Sequence, residues 1–304
     1  MTNQVAVLDT NNFDSLAKAM GMSVEGAERN TQTLPRLRIS HSSIMGDTEV
    51  KGKKVKMEVV PAGMYRFEVP EGPTYYASSI SLRPFAQRFM YKRFIKGDGN
   101  NPNRFVKTVM SDNLNKDLKD NAGGFNCGKP SGWVKDFKAL PASTQDLIRQ
   151  IKRTRVVFGS VLLNDVLDEN GDPVDNVNHQ ACIWEIENRT AYKEIGDVFS
   201  SFSRKKRLPI QHSVELSTTA VQLPNGNSYY VPVSSVDMDT SHSITKEDQD
   251  TFSMFMDWID GYNRYILKAW AENNSQDDSY DDADTALAGE ISNVFSEDTD
   301  EVPL

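Results

Sequence analysis

The sequence predicts a mainly β protein with a few helices, an α+β fold built around a β-sandwich or a barrel. Two observations lead to this class. From Leu34 onward, short segments alternate apolar and polar residues, and Gly/Pro-rich turns separate them. Near the C-terminus, one long stretch repeats apolar residues at helical spacing. The chain has 304 residues, which is enough to bury a substantial core.

Eight segments show the strand pattern. In chain order they are LPRLRIS, VKMEVV, MYRFEV, TYYASSISL, TRVVFGSVLLNDVL, ACIWEIE, SVELSTTAVQL and SYYVPVSSV. The turn DENGDP lies between the fifth and sixth segments, and PNGN lies between the seventh and eighth. We therefore expect these four segments to form two hairpins, the first of them with a long excursion between its strands.

Three segments are predicted to be helical. VMSDNLNKDLKD (109–120) and PASTQDLIRQIK (141–152) are the shorter two. The third runs over 245–272, where Thr245 and Asp248 have the spacing of a capping box. Its apolar residues recur every three or four positions, which places them on one face of a helix: Phe252, Phe255, Met256, Ile259, Tyr262, Ile266 and Trp270.

Charged residues are distributed unevenly along the chain, which the net charge of -9 does not show. Residues 273–304 contain ten Asp/Glu and no Lys/Arg, so residues 1–272 together carry about +1. Within them, residues 83–155 hold 16 basic and 6 acidic residues. We predict a flexible N-terminal arm (1–30), a body (31–272) that includes the C-terminal helix, and a disordered acidic tail (273–304).

Several classes of protein are disfavoured. No apolar run reaches the 18 or more residues of a membrane span, and the N-terminus has no signal-peptide pattern. The two cysteines, Cys127 and Cys182, argue against a disulfide framework and suit a reducing cytoplasm. GGFNCGKP has Pro130 where a P-loop needs Ser or Thr. His179 and Cys182 lack the further ligands of a zinc site, and nothing positions a Cys/His catalytic pair. We therefore expect no enzyme, no cofactor and no metal.

Nucleic-acid binding is the function that the body favours. SLRPFAQRFMYKRFIKGDGNNPNRFVK (81–107) interleaves seven Lys/Arg with five aromatic residues. Basic side chains replace the counterions of a phosphate backbone, and aromatic rings stack on unpaired bases. The predicted DNA-binding residues are Arg83, Arg88, Phe89, Tyr91, Lys92, Arg93, Phe94, Arg104, Lys107, Lys129, Trp133, Lys135, Arg153, Arg155, Arg204, Lys205, Lys206 and Arg207. The competing interpretation is that some of the aromatics face inward on strands.

The acidic tail ends in DTDEVPL (298–304). This ending is similar to the C-terminal tip of bacterial single-stranded-DNA-binding proteins, in which acidic residues precede Ile-Pro-Phe; here Leu304 replaces the Phe. With the arm and the basic body, the whole arrangement resembles a bacteriophage-type single-stranded-DNA-binding protein. The partner-binding residues that this resemblance implies are Asp298, Asp300, Glu301, Val302, Pro303 and Leu304.

The resemblance implies an OB-fold-like barrel in the body and sequence-independent binding of single-stranded DNA in replication, recombination and repair. It also implies replication or recombination proteins as partners of the tail, competition between tail and DNA for the groove, and a location in the cytoplasm of the host. Self-association is compatible with such a body. Two other classes stay open: a virion or scaffolding component without nucleic-acid activity, and an accessory subunit of a nucleic-acid enzyme.

Overall fold

The computed structural model describes residues 33–50, 53–97, 102–132, 134–175 and 177–274. All of them belong to one structural unit that begins at Thr33. The predictions for the arm, for Trp133 and for the tail from residue 275 lie outside the described residues.

Ten strands and three α-helices form the described part of the chain. The strands are β1 (Arg36–Ile39), β2 (Ile44–Val50), β3 (Lys53–Val60), β4 (Tyr65–Glu68), β5 (Thr74–Ile95), β6 (Arg104–Lys107), β7 (Ile151–Leu167), β8 (Gln180–Ile186), β9 (Val214–Gln222) and β10 (Ser228–Val236). The helices are α1 (Ala142–Gln150), α2 (Arg189–Arg204) and α3 (Lys246–Glu272), and single 3-10 turns lie at Asn126–Gly128 and Pro209–Gln211.

The α+β class is confirmed, with most of the fold in one partly closed sheet of eight strands. Neighbouring strands follow the order β10-β9-β5-β4-β1-β8-β7, β6 adds to β5, and β7 also pairs with β5. The pairings thus lead from β5 through β4, β1, β8 and β7 back to β5. Several pairings join strands that are far apart in the chain: β5 pairs with β7 and with β9, and β1 pairs with β8 in the fold's parallel pair. This order does not by itself define an OB-fold. β2 and β3 form a separate ribbon.

Strand β5 is the centre of the sheet and is longer than its sequence pattern predicts. TYYASSISL does not end at Leu82; the strand continues to Ile95 and pairs along most of its length with β7. A register shift between Pro84 and Ala86 accommodates the proline, which has no N–H to donate. Gly159 lies opposite, where a Cβ would come within 2.7 Å of the Arg83 carbonyl oxygen.

Helices cover both faces of the sheet. Helix α2 packs on one face through Ile195, Phe199 and Phe202, in a core that also contains Leu82 and Trp184. Asn188 caps this helix by accepting hydrogen bonds from the N–H groups of Thr190 and Ala191.

Helix α3 packs on the opposite face and confirms the predicted C-terminal helix. Phe255, Ile259, Tyr262 and Ile266 are buried against the sheet. The capping box is present, since Thr245 and Asp248 exchange both of its hydrogen bonds. Thr245 itself is the cap, so the helix begins one residue later than predicted.

Two of the three predicted helices are confirmed and one is wrong. PASTQDLIRQIK forms α1, but 109–120 is not helical. Its backbone extends the sheet instead, through bridges that join Phe89 to Ser111 and Thr108 to Asp120. The segment is rich in Asp, Asn and Ser, whose side chains bond to nearby backbone groups and compete with a helix. The Asn113 side chain does so by accepting from the N–H of Asn115.

Candidate nucleic-acid interface

The pairing of β5 with β7 sorts the basic and aromatic residues of 81–107 onto two faces. Phe89 pairs with Arg155, Tyr91 with Arg153 and Arg93 with Ile151. Paired residues on neighbouring strands point to the same face. These side chains therefore share the face on which α2 packs. The alternate residues lie on the face of α3: Arg88, Lys92 and Phe94, with Phe105 and Lys107 from β6.

On the α2 face, cations and aromatic rings alternate in a surface that we call the basic-aromatic strip. It consists of Phe89, Tyr91, Arg93, Lys129, Arg153, Arg155 and Tyr192. The Arg155 guanidinium lies 4.9 Å from the ring centre of Phe89 and 4.6 Å from that of Tyr192. The Arg153 guanidinium lies 5.7 Å from the Tyr192 ring. At the other end, the Lys129 ammonium lies 5.8 Å from the Tyr91 ring. Such contacts are cation–π interactions.

Arg155 differs from Arg93 and Arg153 because its side chain is buried. It is 7% exposed, and among the described residues no Asp or Glu forms an ion pair with it. Its guanidinium donates to the Gln87 side chain, while its buried Nε has no partner. Burial lowers the pKa of Arg155, although Tyr192 and Asp197 act in the opposite direction. A buried cation without a carboxylate is costly, so an approaching anion would be favoured here.

The strip presents some of its members to solvent and buries others. Arg153 is exposed, and Phe89, Tyr192 and Arg93 are partly exposed. Tyr91 was predicted to stack on bases, but it is 4% exposed and packs in a cluster with Val106, Leu118 and Cys127. The Tyr91 ring is therefore part of the core, and Phe89 and Tyr192 are the rings of the strip that solvent reaches.

The α3 face holds a partly buried ion network rather than an open basic surface. The Lys92 ammonium lies 2.8 Å from Glu185 and 2.7 Å from Glu187. Burial opposes its charge, but the two carboxylates outweigh burial and raise the pKa of Lys92. For Glu185, burial is likewise outweighed, by Lys92 and Arg36, and the pKa of its carboxyl falls to about 2.

Lys107 and the neighbouring rings complete this face. Lys107 is 6% exposed, and burial, reinforced by Lys92, lowers its pKa to about 7. The rings of Phe94 and Phe105 pack against each other with their centres 4.9 Å apart. Lys92 is thus held by two carboxylates and Lys107 is buried, so neither presents a free cation at the surface.

Two further predicted residues have structural partners. The Arg83 guanidinium forms a two-pronged ion pair with Asp248, with nitrogen–oxygen distances of 2.8 and 2.9 Å. It also donates to the Ile210 carbonyl at 2.5 Å. Arg88 donates to the Gln87 carbonyl and lies 3.5 Å from the Met256 sulfur. Arg83 therefore joins β5 to the start of α3.

The remaining predicted residues are Lys129, at the end of the strip, and residues that are not part of the strip. Arg104 and Lys135 are exposed, and Lys129 holds the loop that follows it by donating to the carbonyls of Pro130 and Gly132. The exposed cluster Arg204, Lys205, Lys206 and Arg207 lies at the far end of α2. Twelve residues separate Tyr192 from Arg204, about 18 Å along the helix axis. Trp133 and the six tail residues lie outside the described part of the chain.

Sequence reasoning missed Tyr192 because it missed α2. The signal was present: Asn188 is a good cap, and apolar residues recur at Ala191, Ile195, Val198 and Phe202. Tyr192 takes the place in the strip that Tyr91 was predicted to fill.

Comparisons of this chain with protein-family models, with curated proteins and with solved structures found no match. Within the residues that the structure describes, no helix is long and apolar enough to cross a membrane. In the same part of the chain, no group of three or more His, Cys, Asp or Glu is placed to hold a metal ion.

Proposed function

We propose that this protein binds single-stranded DNA without sequence preference, through the basic-aromatic strip, and serves phage DNA replication, recombination and repair as a binding protein rather than an enzyme. The observation that carries the proposal is the alternation of aromatic rings with cations along β5, β7 and α2. Among the described residues, none of the strip's four cations, Arg93, Lys129, Arg153 and Arg155, forms an ion pair with a carboxylate.

The strip suits a single strand better than a duplex. Partly exposed rings at Phe89 and Tyr192 can stack only on bases that are unpaired, and stacking contributes roughly 1–3 kcal/mol per base. The exposed Arg153 and the partly exposed Arg93 lie beside these rings, where they would contact the phosphates between stacked bases. No recognition helix enters into this geometry, so the binding would not depend on sequence.

The OB-like barrel and the tail belong to the same proposal. The partly closed circuit of β5, β4, β1, β8 and β7 supports an open barrel with the strip on one of its surfaces. The tail, with ten acidic residues and no basic ones, would compete with DNA for the strip and recruit replication or recombination proteins through DTDEVPL. Removal of residues 275–304 should therefore tighten binding to oligo-dT at low salt and abolish recruitment.

The experiment that tests the strip is a salt titration of oligo-dT binding by fluorescence anisotropy. For single strands, the logarithm of the association constant falls with the logarithm of salt by about 0.7 for each neutralised phosphate. Arg153→Gln and Arg93→Gln should each lower the magnitude of this slope by about 0.7. Lys246→Gln is the matched control, because Lys246 is an exposed cation at the start of α3, which packs on the other face of the sheet.

If both strip variants keep the wild-type slope, the cations of the strip do not contact phosphates and the proposed site is wrong. If the Lys246→Gln control changes the slope as much as they do, binding is spread over the surface and the strip has no special part in it.

A further inference from the structure

A second group, of one cation and two aromatic rings, lies around the loop that precedes Lys129, and none of its three residues was predicted from the sequence to bind DNA. The Lys119 ammonium lies 3.8 Å from the ring centre of Trp270, the closest such contact among those described above. Phe125 packs against the same indole with a centroid distance of 5.9 Å. We call Lys119, Phe125 and Trp270 the loop platform.

The loop platform is held rigidly. Lys119 and Phe125 form a bridge of the small meander that extends the sheet beyond β6. The Trp270 indole donates to the Gly124 carbonyl at 3.0 Å. Asp120, which is 1% exposed, accepts from the N–H groups of Ala122, Gly124 and Cys127 and so fixes the loop from within. A rigid platform loses little conformational entropy when a ligand binds.

Phe125 is nevertheless left open to solvent. It is 45% exposed, although the N–H groups of Gly124 and Cys127 on either side of it are held by Asp120. A large apolar ring with that exposure, beside a lysine that has no ion pair among the described residues, has the composition of a base-stacking site.

A short turn connects the loop platform to the strip. The N–H of Gly128 donates to the Phe125 carbonyl at 2.9 Å, which closes a 3-10 turn, and Lys129 follows at once. Phe125 is therefore only four residues from Lys129, whose ammonium contacts the Tyr91 ring at the end of the strip.

We propose that the loop platform is a second stacking subsite, on which a base of a single-stranded nucleic acid stacks against Phe125 while Lys119 contacts the backbone. This inference rests on the proposed function and deepens it. The bound strand runs from Phe89 and Tyr192, past Lys129, onto the 117–129 loop. Only strands long enough to span both subsites engage Phe125.

The test compares wild type with Phe125→Ala and Phe125→Leu on oligo-dT of two lengths, about 4 and about 16 nucleotides. On the longer strand Phe125→Ala should weaken binding by about 5-fold to about 150-fold. Phe125→Leu should weaken it similarly, because leucine keeps the apolar bulk but lacks the aromatic face. On the shorter strand, which the strip holds alone, both variants should bind as wild type does.

The matched control is Phe252→Ala, which removes a phenylalanine that is 40% exposed on the same helix as Trp270 but about 27 Å away along its axis. It should bind both lengths as wild type does. A second readout uses Phe125→Trp, whose added fluorescence should be quenched by the longer oligo-dT.

Failure of this inference differs from failure of the proposed function. If wild type binds the longer strand tightly and Phe125→Ala binds it equally well, the loop platform is not a subsite, although the strip stands. If Phe125→Ala weakens both lengths equally, the ordering of the two subsites along the strand is wrong. If wild type binds neither strand, the proposed function itself is wrong.

Discussion

Replacement of Arg83 by Met tests whether this residue stabilises the fold or contacts DNA. In the structure, this guanidinium joins β5 to α3 through two hydrogen bonds to Asp248 and one to the Ile210 carbonyl. Its side chain is 17% exposed and that of Asp248 is 11% exposed. Arg83→Met leaves the carboxylate without its cation in a place that solvent barely reaches.

The size of the effect follows from this geometry. Removing one partner of a buried ion pair costs about 3–5 kcal/mol. Asp248 keeps the hydrogen bond from the Thr245 N–H, at 2.8 Å, which reduces the loss. We expect Arg83→Met to lower the free energy of unfolding by about 2–3 kcal/mol, measured by urea denaturation with an unchanged m-value. In a double-mutant cycle with Asp248→Asn, the coupling should be about 1–3 kcal/mol.

The same pair gives a pH signature. Burial acts to raise the pKa of Asp248, but hydrogen bonds from the Thr245 N–H and from Arg83 outweigh it and lower that pKa. The native carboxyl therefore binds fewer protons than the unfolded one, whose pKa is about 3.9. The stabilisation is present above that pH and is lost as the pH falls through the native pKa. The difference in stability between wild type and Arg83→Met should shrink below about pH 4.

One result would refute this reasoning. If Arg83→Met weakens oligo-dT binding and leaves the urea midpoint unchanged, Arg83 contacts DNA and its pair with Asp248 contributes nothing to stability.

Three further predictions concern the scaffold and are read by urea denaturation. Thr245→Ala removes the cap of α3 and should lower the free energy of unfolding by about 1 kcal/mol; no loss would mean that the capping box is not formed. Gly159→Ala forces a Cβ against the Arg83 carbonyl and should cost about 1–3 kcal/mol; a neutral effect would show that β5 and β7 can move apart. Burial and, to a smaller extent, the charge of Lys92 lower the pKa of Lys107 to about 7. A lysine of the unfolded chain has a pKa of about 10.4. Above neutral pH the unfolded chain therefore binds more protons than the folded chain. Wild type should therefore gain stability between about pH 7 and pH 10, and Lys107→Met should abolish that gain; an equal gain in the variant would place the titrating group elsewhere.

The elements with strong local signals could be predicted from the sequence. Strand β7 is rich in β-branched and other apolar residues, and α3 has both a capping box and seven apolar positions at helical spacing. The 109–120 segment misled, because Met110, Leu114 and Leu118 recur every four residues while its Asp and Asn side chains favour local hydrogen bonds over a helix. Helix α2 was missed although its cap at Asn188 is as clear as that of α3.

The composition of the site could be predicted, but not the position of its residues. A basic, aromatic stretch is visible in 81–107, yet a shift of one residue in register exchanges the two faces of a strand. The pairing of Phe89 with Arg155 fixes that register and divides the stretch. Lys92 then turns inward to two carboxylates that lie about 90 residues further along the chain, and no local pattern encodes such a contact. Tyr192 and Phe125 enter the surface for the same reason, through contacts between distant segments.

The most direct test of the central claim is a fluorescence-anisotropy titration of the full chain with oligo-dT and with a duplex of equal length, at about 50 and about 200 mM salt. The partly exposed rings of the strip require unpaired bases, so wild type should bind oligo-dT more tightly than the duplex at both salt concentrations. Its affinity for oligo-dT should also fall as salt rises. Equal affinity for the two forms, or an affinity for oligo-dT that salt does not change, would contradict the account.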